Sequence, residues 1–297
     1  YNMKHPYTRA LFNASTHRVV MPDVITSGTL LSVDSVVRTY SLPRNGVLGS
    51  RPNFNALDNV SFNISHGERV GLVGESGCGK STLTRAILGV EDVQSGRIKL
   101  DGEPVFSEKR PNIDVRRKMQ VVFQDPYSSF NPRHRVDRLI AEPLHVLENP
   151  PVGKLRDLAI LKALEDVGLM ASDAKKFIHE FSGGQRQRIA IARALIIEPE
   201  LIIFDEAVSA LDVSVRAQVL DLIAELCHKR PLAYLFISHD LSVVRTVTDR
   251  VMIMRAGKIV EHGETEKVFT NPQSAYTKTL IAAAPRLPEI TYAIEPV

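Results

Sequence analysis

A glycine-rich segment in the first third of the chain carries the side chains with the clearest chemistry. It fits the pattern G-x-x-x-x-G-K-[ST] and comprises Gly74, Glu75, Ser76, Gly77, Cys78, Gly79, Lys80, Ser81 and Thr82. In such a loop backbone N–H groups face a β-phosphate without interference from Cβ atoms, and the next helix adds its positive end. Lys80 would reach the β- and γ-phosphates, and the Ser81 hydroxyl would ligate Mg²⁺. The segment therefore predicts a site for nucleotide phosphates.

Two adjacent carboxylates further along the chain could serve the hydrolysis of a bound nucleotide. Asp205 and Glu206 close the apolar run Leu201–Phe204. This places them at the carboxyl end of a predicted strand, where open α/β sheets bind ligands. Asp205 suits binding of Mg²⁺, and Glu206 suits the role of general base toward an attacking water. An ordinary solvated strand end is the alternative, and the glycine-rich segment upstream makes it the weaker one.

Further polar positions border predicted elements. Gln124 ends one short apolar run, and His239 follows another, one strand beyond the carboxylates. The position of His239 favours a contact with the γ-phosphate over a structural role, whereas Gln124 alone is as typical of an exposed loop. A third group precedes a long helix and comprises Ser182, Gly183, Gly184 and Gln185. Ser182 is a plausible N-cap, and glycines at a helix N-terminus form a second anion site, although a plain helix start has the same pattern.

Hydrophobic patterns predict the elements that position these side chains. Arg69–Val73 is typical of a buried strand and Ser81–Leu88 of a helix, which is the context that a phosphate loop requires. Strands are also predicted at Leu30–Tyr40, Ala56–Ile64, Val121–Phe123, Leu201–Phe204, Tyr234–Ile237 and, as a pair, within Val251–Gly263. Helices are predicted at Lys154–Val167, which lies in a helix-rich stretch from about residue 134, and at Gly184–Ile197. Ser41–Asn55 has loop composition. This alternation predicts an α/β fold with a mostly parallel sheet covered on both faces.

Composition excludes several classes of protein. The chain has 297 residues with 37 Lys and Arg against 34 Asp and Glu, a net charge of +3, which is too small to indicate nucleic acid as the main partner. It has no run of 18 apolar residues that would span a bilayer. Two cysteines, Cys78 and Cys227, do not make a disulfide framework or a zinc site, and this usage is typical of a reducing cytosol.

Taken together, these motifs resemble the ABC ATPase family of P-loop NTPases. The resemblance rests on the glycine-rich segment, on Phe181–Gln185 about two dozen residues before Asp205, and on Ser238-His239-Asp240. It covers nearly the whole chain. It implies a RecA-like core with an antiparallel β subdomain and an inserted helical subdomain, and ATP with Mg²⁺ as cofactors.

By position, the resemblance assigns a role to each candidate residue. Gly74–Thr82 would be the Walker A loop, Glu206 the catalytic base, His239 the switch histidine and Gln124 the Q-loop residue, so that Glu206, His239 and Gln124 form the catalytic set. Ser81, Gln124 and Asp205 would hold the metal. Tyr40 would stack on adenine, although residues 41–55 separate it from the loop more than is usual. Ser182–Gln185 resembles the signature sequence, with Phe181 where leucine is usual.

The same resemblance implies a partner for the ATP site. In this family ATP lies between the Walker A loop of one unit and the signature of another. A single copy of each motif therefore implies a second ABC ATPase unit, which would be either the other half of a tandem fusion or a second copy in a homodimer formed on ATP binding.

Two segments resemble the oligopeptide/dipeptide importer ATPases, namely Phe123–Arg133 and the tail around Tyr276. This implies a transport-coupled ATP hydrolase that is peripheral at the cytoplasmic face of the inner membrane, works with membrane permease subunits, depends indirectly on a periplasmic solute-binding protein and does not bind nucleic acid. A non-transport ABC ATPase acting on ribosomes or DNA is the first alternative, and an exporter ATPase is the second. The two importer-like segments and the modest charge disfavour the first, and the absence of a fused membrane span disfavours the second.

An internal repeat predicts how the chain is divided. Residues 2–11 align with residues 271–280 at a constant offset and share Asn, Tyr-Thr, a basic residue and Leu, which indicates the second half of a fused tandem ATPase. The predicted division is a remnant of a preceding unit's tail at 1–14, a linker at 15–29, an ABC ATPase domain at 30–265 with a helical subdomain at about 125–190, and an importer-type tail at 266–297.

Overall fold

The computed structural model describes residues 19–24, 26–41, 52–107 and 110–284, together with His5, Phe12 and His17. Its strands are β1 (Ser27–Ser41), β2 (Asn53–His66), β3 (Arg69–Val73), β4 (Ser95–Leu100), β5 (Glu103–Pro104), β6 (Phe106–Ser107), β7 (Arg110–Pro111), β8 (Met119–Phe123), β9 (Leu201–Asp205), β10 (Ala233–Ile237), β11 (Arg250–Arg255) and β12 (Lys258–Glu264). Its α-helices are α1 (Lys80–Ile87), α2 (Ile113–Arg117), α3 (Val136–Ile140), α4 (Lys154–Asp166), α5 (Gly183–Leu195), α6 (Val213–Lys229), α7 (Leu241–Val247), α8 (Thr265–Thr270) and α9 (Ala275–Ala283). Short 3₁₀ turns occur at Glu142–Val146, Ala171–Lys175 and Ile178–Glu180.

A six-stranded sheet positions the candidate residues. Its order is β12-β11-β3-β10-β9-β8, in which β11, β3, β10, β9 and β8 are parallel and β12 is antiparallel to β11. Parallel strands end at one edge of a sheet, and ligands bind outside these carboxyl ends. The segments that follow β3, β10, β9 and β8 carry the glycine-rich loop, His239, Glu206 and Gln124, and these strands are consecutive neighbours. The strand order therefore brings the four segments to one edge.

A second, antiparallel sheet has the order β2-β1-β4-β5. Residues 124–200 form a helix-rich region that holds α3, α4 and α5 and connects β8 to β9. These findings confirm the predicted fold class, an α/β core with an antiparallel β part and a helical insertion. In the part of the chain that the structure describes, no helix is both long enough and apolar enough to cross a membrane.

The core has two layers, one on each face of the six-stranded sheet. Side chains alternate along β9 and β10, because successive residues of a strand point to opposite faces. Phe204, Tyr234 and Phe236 belong to the cluster that packs on the helical region, whereas Ile203 and Leu235 belong to the cluster under the antiparallel sheet and α1. The Phe204 and Tyr234 rings meet edge to face with centroids 5.5 Å apart. Because these strands are buried on both faces, their sequences are continuous apolar runs.

Most predicted elements are confirmed, with shifted ends. Strand β1 starts at Ser27, inside the segment predicted as a linker, and β2 starts at Asn53, inside the segment of loop composition. Residues 19–24 also contact the domain, since the Pro22 carbonyl accepts a hydrogen bond of 2.8 Å from Arg69 Nη2. The predicted remnant at 1–14, apart from His5 and Phe12, lies outside the described residues, as do positions 42–51 and 285–297.

Candidate functional site

A cavity of about 480 Å³ lies at the carboxyl edge of the six-stranded sheet. Its walls combine part of the glycine-rich segment with the acidic, amide and imidazole side chains and with aromatic residues of the antiparallel sheet. The lining residues are Tyr40, Phe54, Ala56, Ser76, Gly77, Gly79, Lys80, Ser81, Thr82, Gln124, Asp205, Glu206 and His239. Segments that are far apart in sequence therefore meet in one cavity of a size that suits a nucleotide.

The glycine-rich segment, hereafter the phosphate loop, needs glycine where it turns into α1. Gly79 caps the helix with φ +116°, a conformation that residues with a Cβ rarely adopt. A Cβ at this position would lie 2.3 Å from the Ala56 carbonyl oxygen. The loop is therefore held tightly against β2, and Ser76, Gly77 and Gly79 line the cavity beside the start of α1, where an anion would bind.

Lys80 is held inside the phosphate loop. Its Nζ donates hydrogen bonds to the carbonyl oxygens of Gly74, at 2.6 Å, and Glu75, at 3.0 Å. The side chain is buried yet lines the cavity. The loop's own carbonyls thus position one ammonium charge beside the place where phosphate oxygens would lie.

Asp205 and Glu206 lie together at the end of β9. Burial raises the pKa of the Asp205 carboxyl, and the neighbouring charge of Glu206 raises it further, whereas Lys80 and Arg85 oppose the shift. Glu206 has φ +53°, which turns the chain away from the strand. Its N–H donates to the Ile237 carbonyl at 2.9 Å. This bond fixes Glu206 next to the end of β10.

Glu206 and His239 form a hydrogen-bonded pair. His239 Nδ1 lies 2.7 Å from Glu206 Oε2. An ionised carboxylate only accepts hydrogen bonds, so Nδ1 is the donor in this pair, and Nε2 is the ring nitrogen that takes no part in it. The side chain of Glu206 is 18% exposed and that of His239 is 65% exposed. The carboxylate therefore lies in the cavity wall, and the imidazole lies at its rim.

The donors predicted for a metal fit Mg²⁺. The Ser81 hydroxyl, the Gln124 amide and the Asp205 carboxylate all line the cavity, and hard oxygen donors of this kind suit Mg²⁺ that keeps waters and phosphate oxygens as its other ligands. Among the described residues no group of three or more His, Cys, Asp or Glu could hold a metal by itself.

Two aromatic rings lie at the mouth of the cavity. Tyr40 and Phe54 are register partners on β1 and β2, so their side chains share one face of the sheet. The Arg38 guanidinium lies 4.9 Å from the centre of the Tyr40 ring, and the Tyr40 hydroxyl donates to the Glu91 carboxylate. Phe54 is 44% exposed and was not predicted from the sequence. The strand pairing that places Phe54 opposite Tyr40 is not visible in a linear sequence pattern.

The second anion-binding motif does not reach this cavity. Ser182 N-caps α5, with Oγ accepting from Gln185 N–H at 3.4 Å and Ser182 N–H donating to Gln185 Oε1 at 3.0 Å. Ser182, Gly183 and Gln185 are exposed, and none of them lines the cavity. These residues form the N-terminus of α5, which is therefore accessible to another molecule.

Helix α5 is tied to the segment that follows Gln124. Arg193 of α5 donates to the Ser129 carbonyl at 2.9 Å and to its Oγ at 3.0 Å, and its guanidinium lies 4.5 Å from the centre of the Phe130 ring. Burial lowers the pKa of Arg193, and the charge of Glu142 opposes this. A partly buried cation with these partners joins the Gln124 segment to α5.

Comparison with protein families gives two matches. Residues 57–209 match the ABC transporter family, and residues 260–295 match the family described as oligopeptide/dipeptide transporter, C-terminal region.

Several curated proteins are similar along most of the chain. The sequence is 45% identical to the dipeptide transport ATP-binding protein DppF of Haemophilus influenzae, over 84% of this chain and 77% of that protein. It is 45% identical to the oligopeptide transport ATP-binding protein OppF of Bacillus subtilis, over 89% of this chain and 84% of that protein. With the ABC transporter ATP-binding protein YejF of Escherichia coli it shares 44% identity over 94% of this chain, but spans only 53% of that protein.

Solved structures share the fold. A dimeric ATP-binding cassette, MJ0796, in a post-hydrolysis state bound to ADP and Pi, superposes with a TM-score of 0.68 at 26% identity and covers 80% of this chain and 99% of its own. CbiO1 from Clostridium perfringens, part of the transporter complex cbiONQ, has a TM-score of 0.69 at 28% identity, covering 82% of this chain and 92% of its own.

Proposed function

The chain belongs to the ABC transporter family of ATP-binding proteins, and on that premise we propose that it hydrolyses ATP to power the import of peptides through separate membrane permease subunits. The similar proteins named for dipeptide and oligopeptide transport support this substrate class. The observation that carries the proposal is the single cavity shared by Lys80, Glu206 and His239. The sequence-based alternatives, a ribosome- or DNA-directed ATPase and an exporter ATPase, are not favoured by these relatives.

The residues of the cavity divide the chemistry among them. The phosphate loop and Lys80 would hold the β- and γ-phosphates, and Tyr40 or Phe54 would contact the base. Ser81, Gln124 and Asp205 would hold Mg²⁺, which offsets the charge of the phosphate oxygens when bound. Glu206 would accept a proton from the water that attacks the γ-phosphorus, as the bond from the γ-phosphorus to the bridging oxygen breaks. His239 would orient the Glu206 carboxylate through their hydrogen bond and reach the γ-phosphate from the rim.

We propose that a second ABC ATPase unit completes the site. The exposed residues Ser182, Gly183 and Gln185 would contact ATP bound to the partner's phosphate loop. One similar structure is a dimer. The two ATPase units would close when ATP binds and open after hydrolysis. The segment after Gln124 and helix α5, which Arg193 holds together, would transmit this movement to the permease.

The partner is either a second copy of this chain or a unit fused upstream of it. The repeat of residues 271–280 at residues 2–11 supports the fusion. A native protein with about twice the 33.0 kDa of this chain on a blot with antibody to this domain would agree with the fusion, and a band at its own mass would contradict it.

Within this proposal the protein is peripheral at the cytoplasmic face of the inner membrane, and a periplasmic solute-binding protein delivers the peptide. The test is uptake of a labelled dipeptide or tripeptide by cells that carry Lys80→Ala. We expect uptake to fall to background, because the phosphate loop loses its cation. Lys258→Ala is the matched control, since this exposed lysine pairs at the surface with Asp58 at 3.0 Å and such pairs contribute little. Normal uptake with Lys80→Ala would overturn the proposal.

A further inference from the structure

Helix α9 contributes no residue to the lining of the nucleotide cavity, yet one of its side chains reaches the phosphate loop. The helix falls in the matched C-terminal region, residues 260–295. The Tyr276 hydroxyl accepts a hydrogen bond from the backbone N–H of Glu75, with the two heavy atoms 3.4 Å apart. Glu75 lies between Gly74 and Ser76, in the first half of the loop.

Tyr276 is enclosed by the loop and the turn that follows β11. It is only 9% exposed, and the guanidinium of Arg255 lies 4.7 Å from the centre of its ring. Burial raises the pKa of the Tyr276 hydroxyl, so it stays neutral. Gly257, in the same turn, donates from its N–H to the Cys78 carbonyl at 2.8 Å. The loop is therefore supported from outside by this turn and by Tyr276 together.

Tyr276 does not line the nucleotide cavity. Its effect on a bound phosphate must therefore pass through the loop, by holding the Glu75 peptide and the adjoining residues in place. Glu75 itself is exposed, so the Tyr276 hydroxyl acts by restraining the Glu75 peptide to one geometry through their hydrogen bond.

The same face of α9 extends toward His239. Leu280 and Ala283, four and seven residues after Tyr276, line a second cavity of about 510 Å³ together with His239 and Asp240. Residues at these spacings lie on one side of a helix. One helix therefore borders both the phosphate loop and the segment that holds the switch histidine.

Helix α9 has an anchor that does not depend on Tyr276. The Glu261 carboxylate of β12 accepts hydrogen bonds from the backbone N–H groups of Gln273, at 2.7 Å, and Ser274, at 3.0 Å. These bonds lower the pKa of Glu261 against the effect of its partial burial. Loss of the Tyr276 hydroxyl alone should therefore leave the helix in place.

We propose that Tyr276 is a positioning residue of the phosphate loop, through which the C-terminal helix sets the affinity for ATP. This inference rests on the proposed function, because it takes the loop to be the ATP-phosphate site. It assigns the importer-type tail a role inside the ATPase unit.

The test compares Tyr276→Phe with Tyr234→Phe. Both changes remove a buried hydroxyl that makes a hydrogen bond to backbone, but the Tyr234 hydroxyl donates to the Val247 carbonyl, away from the loop. We expect Tyr276→Phe to raise the Kd for ATP, measured by calorimetry, and the KM for hydrolysis by about three- to tenfold, the range of one neutral hydrogen bond, with kcat changed less than about twofold. Tyr234→Phe should lower the melting temperature and leave the Kd and KM unchanged. An unchanged Kd in Tyr276→Phe, or an equal change in both variants, would overturn the proposal.

Hydrogen exchange separates this inference from the proposed function. In protein without nucleotide, the Glu75 amide should exchange faster in Tyr276→Phe than in the wild type or Tyr234→Phe, whether or not the chain hydrolyses ATP. Addition of ATP should in turn slow exchange in α9 of the wild type, because coupling between two sites is reciprocal. If the wild type bound no ATP, the proposed function would fail. If ATP bound but neither Glu75 nor α9 responded, the role of Tyr276 would fail alone.

Discussion

At the residue scale, the hydrogen bond between Glu206 and His239 is the clearest mark of a catalytic site. It joins two strand ends that are separated by 33 positions in sequence. The carboxylate is mostly buried and the imidazole mostly exposed, so the proposed base is shielded while its partner can reach a ligand. Strain at the positive φ of Glu206 is typical of functional sites and is maintained here by the bond to Ile237.

Glu206→Gln should abolish turnover without abolishing binding. Glutamine keeps the shape of the side chain but cannot accept the proton of the attacking water, so we expect kcat to fall by about 10²–10⁴-fold. ATP binding by calorimetry should persist, and phosphate release measures the loss. Glu225→Gln is the control, because it makes the same change at an exposed position of α6. Unchanged turnover in Glu206→Gln would remove this residue as the base.

Asp205 should make the nucleotide-free protein less stable near neutral pH. Its folded pKa is raised by burial and by Glu206, so the ionised carboxylate costs free energy in the folded state above that pKa. The cost vanishes as the pH falls below the unfolded pKa of about 4. Asp205→Asn should therefore raise the unfolding free energy near pH 7 by about 0.5–2 kcal/mol, and the gain should shrink in acid.

Thermal unfolding at several pH values measures this effect, and the exposed Asp23→Asn is the control. A gain independent of pH would contradict the role of the charge. The same variant should lose the additional stability that Mg²⁺ and ATP confer together, because it lacks the carboxylate that we propose as a metal ligand.

At the element scale, the N-terminus of α5 shows how two adjacent glycines differ. A Cβ on Gly184 would lie 2.2 Å from Val215 Cγ1 of α6, whereas the nearest atom to a Cβ on Gly183 is Leu211 Cδ2, at 4.0 Å. Gly184 therefore allows α5 and α6 to approach closely. Within the described part of the chain, no close contact requires a glycine at position 183. Its exposed surface is therefore available to a partner.

This difference predicts opposite results for two similar substitutions. Gly184→Ala should lower the unfolding free energy by about 1–3 kcal/mol, the usual cost of overpacking, and Val215→Ala added to it should recover part of that loss. Gly183→Ala should change stability by no more than about 0.5 kcal/mol and reduce ATP turnover. Urea denaturation and phosphate release measure these effects. Equal destabilisation by both alanines would contradict the assignment.

Sequence patterns predicted some elements better than others. The buried strands β3, β9 and β10 were evident because burial on both faces produces continuous apolar runs. The short strands β4 to β7 and helix α2, between residues 95 and 117, were not predicted, since elements of two to six residues have no clear period. Strand β4 forms by pairing with β1 and β5 by pairing with β4, whereas β6 and β7 pair with each other.

At the scale of the whole molecule, the two predicted anion-binding motifs do not share one cavity. The phosphate loop lines the cavity, and Ser182 and Gly183 do not. A complete ATP site would then need the phosphate loop of one unit and α5 of another. Two units related by a two-fold axis would form two such sites, because a symmetric interface uses the same surface on both partners.

Mixing two inactive variants tests this arrangement. Lys80→Ala disables the phosphate loop, and Gly183→Trp would block contact with the partner's ATP from an open, exposed position. Each variant alone should be inactive in a homodimer. An equal mixture should recover about a quarter of wild-type turnover, since half of randomly paired dimers contain one intact site out of two. No recovery in a mixture shown to contain heterodimers would contradict a shared site.

The sequence by itself determined what depends on local structure. The strand, glycine-rich loop and helix around Lys80 are adjacent in the chain, so their types and spacing specify one phosphate-binding geometry. The family resemblance then identified the candidate side chains, including those that only meet in the folded protein.

Only the tertiary structure decided which of these residues share a site. Gln124, Glu206 and His239 meet because β8, β9 and β10 are consecutive neighbours beside β3, and strand order is set by packing over the whole sheet. The same holds for Phe54 beside Tyr40, for the outward face of Ser182 and Gly183, and for Tyr276 against Glu75, which is 201 positions away. Local propensities carry no information about contacts of such sequence separation. These contacts form because the two core layers must be buried at once.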